Sequence, residues 1–507
     1  MSTKHRFAII ALATVLVSCA AKPGPAPVEN VRPSNVASTT QQREKQESRL
    51  SVGIDPLTAG LNPHLLFDAN EFVNTLAQLV LPSAFEAGKL NGDLLEAARP
   101  VSPPKGVALS IRYDINPEAQ WSDGTPITVA DFEYLRNGIA ETPGALDAAR
   151  YRAISNVRSA NGGRTVYVDF EQPIGDWQSM FQNLLPSHVL GPASDFATAL
   201  NDDIPASGWR LSLSSVDRGR GVITLHRNDR YWGTKPAQVE TVQFVEVRSL
   251  SQATELLRSG QLSFVDMTPT EVAKDTFGLI PHAQVRTNVL DRRLQLSATP
   301  SLDVTARKSL ASMIDPEMIA RLATGRSSEL DVPASRILEA DPTGLLALGR
   351  PIRLGVDPSD STALAATRAI ADILDNAGVD ARVITSDSTD LLQRTVSDGD
   401  IDAIVAWTPA KPRDMYHCDG DVVAANISTY CDPSVNDTIE ALIAGQVPSE
   451  ALETQTQALE SEQFLNTVLL RDVRLQALGK GIVGPNPDLQ RWPVGLSSLA
   501  DWSLQNN

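Results

Sequence analysis

Residues 352–385 read IRLGVDPSDSTALAATRAIADILDNAGVDARVIT. Ile352 to Val356 reads as a strand and Thr362 to Asn376 as a helix closed by Gly378 in C-cap position. Ala381 to Thr385 and Ile401 to Trp407 read as the strands that follow. Strand, helix and strand in that order make a βαβ unit, whose crossover helix covers a parallel sheet. An earlier unit has the same grammar: strand Gln243 to Val247, helix Ser249 to Ser259, strand Leu262 to Asp266. Two such units in separate parts of the chain predict two α/β lobes.

Working outward, Leu50 to Ile54 is a short apolar strand. It is followed by a turn-rich loop, Thr58 to Pro63, and a helical run through Phe72, Leu76, Leu79 and Val80. Leu109 to Ile115 and Thr165 to Phe170 alternate as strands, and Val129 to Ile139 fits a helix with Thr128 as N-cap and Asp131 in its first turn. This stretch predicts a mixed α+β insert. No repeat of about 20 to 50 residues is visible, which sets aside solenoids and propellers.

Composition narrows the function. The chain has 507 residues, enough for about three domains. Apolar residues make up 42% and charged residues 21%, which fits neither wholesale disorder nor a multi-span membrane protein. Its formal net charge is -17, a surface that repels phosphate backbones, so nucleic acid is not an expected partner.

The N-terminus carries Lys4, His5 and Arg6, then an apolar run from Phe7 to Val17, then Ser18 before Cys19. That is the anatomy of a secretory signal, and the apolar run is too short to cross a bilayer. Residues 1–18 are therefore expected to be a signal peptide. Leu16-Val17-Ser18-Cys19 resembles the bacterial lipobox, which implies lipidation of Cys19 and anchoring on the outer face of the plasma membrane, the periplasmic or extracellular side. Residues 19–50, with Pro23, Pro25, Pro27 and Pro33 and a polar stretch after them, read as a flexible tether. In such an oxidising place Cys418 and Cys431 are most simply a disulfide, since His417 is the one other nitrogen or sulfur ligand nearby.

Several separated motifs point to one family. Gln120-Trp121-Ser122-Asp123-Gly124-Thr125-Pro126-Ile127-Thr128-Val129-Ala130-Asp131-Phe132 resembles the "WSDGTPxTADDF" signature of the extracellular solute-binding proteins, family 5, the peptide and nickel binders of ABC importers. Asn228 to Gly233 resembles its "NxxYWG" element, and Ala306 to Ile319 its "vRkALxxAIDrexI" helix. Pro186-Ser187-His188-Val189 and the strand ending in Trp407 follow in the same order. The resemblance runs from about residue 51 to the C-terminus. It implies a two-lobed periplasmic-binding-protein-like α/β fold (type 2, peptide-binder cluster) with an extra α+β subdomain in the first lobe. The expected division is a first lobe over 51–290, with the insert at about 80–205, a second lobe over 291–464, and a return to the first over 465–507.

Leu61 to Leu66, Leu79 to Phe85, Asn228 to Gly233 and Cys431-Asp432 are similar to an actinobacterial lipoprotein branch of this family. That likeness implies a binding or regulatory role in phosphatidylinositol mannoside, lipomannan and lipoarabinomannan assembly. The implied partner is a mannosylated phosphoinositide or a membrane mannosyltransferase. The alternative is a receptor that hands a peptide or other solute to an ABC permease. Fold alone does not choose between them.

Ligands in open α/β sheets collect beyond the carboxyl ends of strands. That places Trp407, with core packing as its alternative, and the loop residues Asp55, Asn62 and His64 among the ligand-binding candidates. In peptide-binding relatives an aspartate three residues after the tryptophan pairs with the ligand's ammonium group; here that position is Ala410, followed by Lys411 and Arg413. The two cations would suit an anion, or else form a solvated surface pair. Trp121 and the Asp123-Gly124 turn read as structural.

Catalytic readings find no support: there is no Gly-x-Ser-x-Gly, His-Glu-x-x-His or P-loop. Asp398, Asp400 and Asp402 are spaced like the start of an EF-hand, but Ala403 and Pro409 stand where glycine and glutamate are needed. No enzyme activity, metal or cofactor is expected.

Overall fold

The computed structural model describes residues 48–191, 195–334, 338–393, 399–418, 420, 422–493 and 495–504. The expected signal peptide, Cys19, the tether up to residue 47, and Asp398 lie outside the described residues.

The unit at 352–385 forms as read. Ile352–Val356 is buried, and helix Ser361–Asn376 starts at Asp360, whose carboxylate accepts from the Ala363 N–H at 2.9 Å. It stops at Ala377, with Gly378 just beyond at φ +82°, a conformation that costs a side-chain-bearing residue more than glycine. The helix buries Ala366, Ile370 and Leu374. Ile370 and Leu374 contribute about 1.5–3 kcal/mol each by leaving water. Ala381–Thr385 and Ala403–Pro409 pair in parallel on either side of Ile352–Val356.

The earlier unit, Thr241–Glu246, Leu250–Arg258 and Phe264–Met267, forms with Ser249 capping its helix. Its two strands are not neighbours: Arg49–Ile54 lies between them, parallel to both.

All these strands belong to one ten-stranded sheet. Its order is Ala381–Thr385, Ile352–Val356, Ala403–Pro409, Gln284–Ala298, Asn466–Leu478, Phe264–Met267, Arg49–Ile54, Thr241–Glu246, Val222–Arg227 and Leu211–Asp217. The two long central strands, 15 and 13 residues, run antiparallel and serve both lobes. Their register breaks between Val289 and Arg293. On one side of the break they pair with each other beside Phe264–Met267, on the other beside Ala403–Pro409. The expected lobe boundaries, 290/291 and 464/465, fall inside the first of these strands and just before the second.

The insert is a four-stranded antiparallel sheet, Leu95–Val101, Leu109–Ile115, Thr165–Phe170 and Ile154–Ala160, covered by helix Val129–Glu141. A capping box opens that helix: Thr128 N–H donates to Asp131 at 2.8 Å, and Thr128 Oγ1 accepts from Ala130 N–H. Trp121 is fully buried, and the Asp123-Gly124 turn is closed by the Thr125 N–H on Asp123 at 2.8 Å. Met415, Tyr416, Val435, Ile439 and Ile443 share this apolar cluster, so the segment after Ala403–Pro409 packs on the insert as well as on its own lobe. Cys418 and Cys431 are joined as a disulfide. By the chain-entropy model such a loop contributes about 3 kcal/mol.

Candidate functional site

A cavity of about 430 Å³ lies between the lobes, at the carboxyl ends of the parallel strands. Asp55 follows Arg49–Ile54, Thr268 follows Phe264–Met267, Asp357 follows Ile352–Val356, and Trp407 sits near the end of Ala403–Pro409. Strand direction alone brings these four together.

Arg474, on the central strand Asn466–Leu478, organises the first-lobe wall. Its Nε donates to Asp266 at 2.7 Å, its Nη2 to the Asp266 carbonyl at 2.9 Å, and its Nη1 to Asp55 and to Thr268 Oγ1. Asp55 also accepts from the N–H and hydroxyl of Thr268, at 2.9 and 2.7 Å. Burial works to raise the Asp55 carboxyl, but the Arg474 charge and the Thr268 bonds outweigh it and hold the group below its usual range. Across the cavity, burial lowers the Arg292 guanidinium. It lies 3.8 Å from Asp472 and 5.1 Å above the Trp407 ring. Glu71, the first residue of helix Glu71–Val80, is pushed up to about 7 by burial, with Asp266 and Asp472 adding to the effect and Arg474 opposing it. Its carboxyl is therefore about half protonated at neutral pH. Burial also raises Asp360, against the Ala363 N–H and Arg292.

Of the six ligand-binding candidates, Asp55 and Trp407 line this cavity. Trp407 presents one face to Arg292, so the ring is already covered by a cation on that side. Asn62 and His64 do not line it. Asn62 is fully buried, donating to the Phe196 carbonyl at 2.9 Å and accepting from His64 N–H at 3.1 Å. His64 Nε2 lies 3.0 Å from the Asn183 carbonyl, which can only accept, so that nitrogen carries the proton. Burial lowers His64 to about 4, leaving it neutral and structural.

Lys411 and Arg413 lie at a different place, a cavity of about 560 Å³ between the insert and the second lobe. Arg413 faces Asp147 at 3.1 Å, Asp176 at 3.5 Å and Asp414 at 3.6 Å, which occupies the charge expected to read an anion. Lys411 is exposed. The anion expectation is corrected on those contacts: the neighbours that neutralise Arg413 come mainly from the insert, remote in sequence. Asp402, the last of the EF-hand-like aspartates, is fully buried and bonded to Arg350, Arg353 and Ser301, a structural anchor. Its carboxyl is held well below the usual range: burial works to raise it, and the two guanidiniums win.

Sequence reading missed Glu71, Arg292, Arg326, Asp360, Asp472 and Arg474. Two carried a usable signal. Arg474 is a cation on the polar side of an alternating strand, Asp472 to Ala477, and Asp360 closes the turn at the end of a parallel strand.

Three comparisons fit this geometry. Residues 106–344 match the bacterial extracellular solute-binding proteins, family 5 (middle region). The chain is 26% identical over 478 residues to the probable monoacyl phosphatidylinositol tetramannoside-binding protein LpqW of Mycobacterium tuberculosis, covering 80% of this chain and 74% of that one. The oligopeptide-binding protein OppA of the same organism is 34% identical over 132 residues, 25% of this chain and 22% of OppA. Among solved structures, the oligopeptide-binding protein AppA of Bacillus subtilis, in complex with a nonapeptide, superposes with a TM-score of 0.67 at 14% identity, covering 91% of this chain and 100% of AppA. At that identity the likeness establishes the two-lobed fold.

Proposed function

We propose that this chain is a family 5 extracellular solute-binding protein and, more narrowly, an exported, lipid-anchored, non-catalytic binding protein of cell-envelope lipoglycan assembly. It engages a mannosylated phosphoinositide or a membrane mannosyltransferase. The observation that carries this reading is the likeness to LpqW, which extends over both lobes, together with a cavity of ligand size between them. Cys19 would hold the protein on the outer face of the membrane. The second reading, an importer receptor for peptides or another solute, is supported by the OppA and AppA likenesses.

Two experiments separate these readings. Native mass spectrometry of the full-length protein against an extract of envelope lipids and against a peptide library should retain a mannosylated phosphoinositide; retention of peptides alone would replace the first reading with the second. Cys19→Ala is expected to move the protein from the membrane fraction to the soluble fraction. Unchanged sedimentation with membranes would remove the lipid anchor.

A further inference from the structure

The cavity's hydrogen-bonding balance is uneven. Five carboxylates line it, Asp55, Glu71, Asp357, Asp360 and Asp472, with three guanidiniums, Arg292, Arg326 and Arg474. The guanidiniums are largely committed. Arg474 serves Asp55 and Asp266, Arg292 lies by Asp472 and on Trp407, and Arg326 donates from Nη1 to the Pro269 carbonyl. Of the carboxylates, Asp55 is taken by Arg474 and Thr268 and Asp472 lies by Arg292, but the other three are not matched by a cation of the first-lobe wall. Asp357 accepts from Ser359 N–H at 2.9 Å, and Asp360 accepts from the N–H groups of its own helix's first turn, Ala363 at 2.9 Å and Thr362. No described side chain or backbone N–H donates to Glu71. One donor is also left over: Arg326 is 5% exposed, and its Nε–H has no acceptor.

A ligand that completes this site supplies several donors to the carboxylates and can offer an acceptor to the guanidinium of Arg326, which borders the cavity. A phosphate offers acceptors and negative charge, and would meet like charge on several sides in a cavity whose cations are already paired. An ammonium group donates but cannot accept. A hydroxyl does both, and the C–H faces of a polyol suit the apolar part of the wall formed by Phe67, Phe72 and Leu57. Peptide amides also donate and accept, but a peptide bound through its backbone adds to an open strand edge. Arg49–Ile54 and Ala403–Pro409, which end at the cavity, are each paired on both sides.

We propose that the inter-lobe cavity takes an uncharged polyhydroxylated group, the glycan portion of a glycolipid, and leaves any phosphate of that ligand outside. This rests on the binding-protein reading above and specifies which part of the ligand the cleft holds. The Glu71 carboxyl can donate when protonated and accept when ionised, so it serves a hydroxyl in either state.

The test is isothermal titration of the full-length protein with three probes: a phosphate-free mannotetraose, inositol 1-phosphate and a pentapeptide. The tetrasaccharide is expected to bind at least tenfold more tightly than inositol phosphate. Glu71→Leu should weaken it tenfold or more. Because Glu71 opens a helix, thermal melting is recorded alongside, and Asp357→Ala, in a loop at the cavity wall, must weaken the sugar as well. Equal or tighter binding of inositol phosphate would overturn the inference while leaving the mannolipid role standing. Binding of the pentapeptide alone would overturn both. Sugar binding untouched by both substitutions would place the glycan elsewhere and overturn the inference.

Discussion

Arg474→Met is expected to destabilise the protein by roughly 3 to 5 kcal/mol, the range for removing one partner from a buried ion pair. The side chain is 12% exposed and bridges Asp266, itself nearly fully buried, and Asp55, which follows the first strand of the fold. Methionine fills much of the volume but leaves two carboxylates without their cation. At about 2.1 cal/mol/K of unfolding entropy per residue, a folded unit running from Glu47 to Asn507 shifts by about 1 °C per kcal/mol, so the melting temperature should drop by roughly 3 to 5 °C. Adding Asp266→Asn should recover part of the loss, because the uncompensated charge, more than the missing attraction, sets the penalty. The pH dependence follows from Asp55. Its folded pKa is below the ordinary value, so its contribution is present above about pH 4 and is lost as pH falls through the folded value. Wild type and variant should therefore converge in acid. A drop of less than 1 kcal/mol at neutral pH would show that water screens the pair and that Arg474 does not organise the cleft wall. Ligand retention should fall with stability, since Asp55 and Thr268 lose the group that aims them.

What was legible in the sequence was local. The βαβ unit at 352–385 and the capping box at Thr128 and Asp131 depend on neighbours a few residues apart, so periodicity and turn chemistry reach them. The cleft depends on distance in sequence. Asp55 and Arg474 are 419 residues apart, and nothing near either one announces the other. Strand direction did place Asp55 and Trp407 at the cavity, because the carboxyl-end rule is topological. It gave no warning that Arg292 covers Trp407, or that Asp147 and Asp176 had already claimed Arg413. Asn62 and His64 sit on the expected loop, but that loop turns into the insert, where both side chains serve backbone groups at 0% and 8% exposure. The long central strands escaped notice because their register breaks at Val289 and Arg293, which interrupts a single alternating pattern.

The largest conformational effect is expected from Gly175→Leu. Gly175 N–H donates to the Ile443 carbonyl at 2.8 Å, and a Cβ placed on Gly175 would lie 2.5 Å from the Gly445 Cα, so insert and second lobe touch backbone to backbone. Around that point Gln172 donates to Glu440 at 2.8 Å, Gly144 N–H donates to the Val423 carbonyl at 2.9 Å, and Arg413 faces Asp147 and Asp176. Leu66 packs in one buried cluster with Leu391, Ile401 and Ile404. These contacts tie the insert to the second lobe, so a side chain at Gly175 is expected to penalise this arrangement more than the fold of either lobe. Overpacking of this kind costs about 1–3 kcal/mol. An equilibrium that favours closure by a similar amount would shift to roughly equal open and closed populations, and apparent ligand affinity would fall about twofold with the closed population. Paired labels on the insert and on helix Ser449–Gln463 should report a short distance in ligand-free wild type and a longer one in Gly175→Leu, with circular dichroism unchanged. The seam bears on function because a receptor that loads and unloads at a permease must open readily, and apolar and polar contacts outside the cleft oppose opening whether or not the cavity is filled. A ligand-free wild type that is already open would instead make closure ligand-driven and strengthen the importer reading.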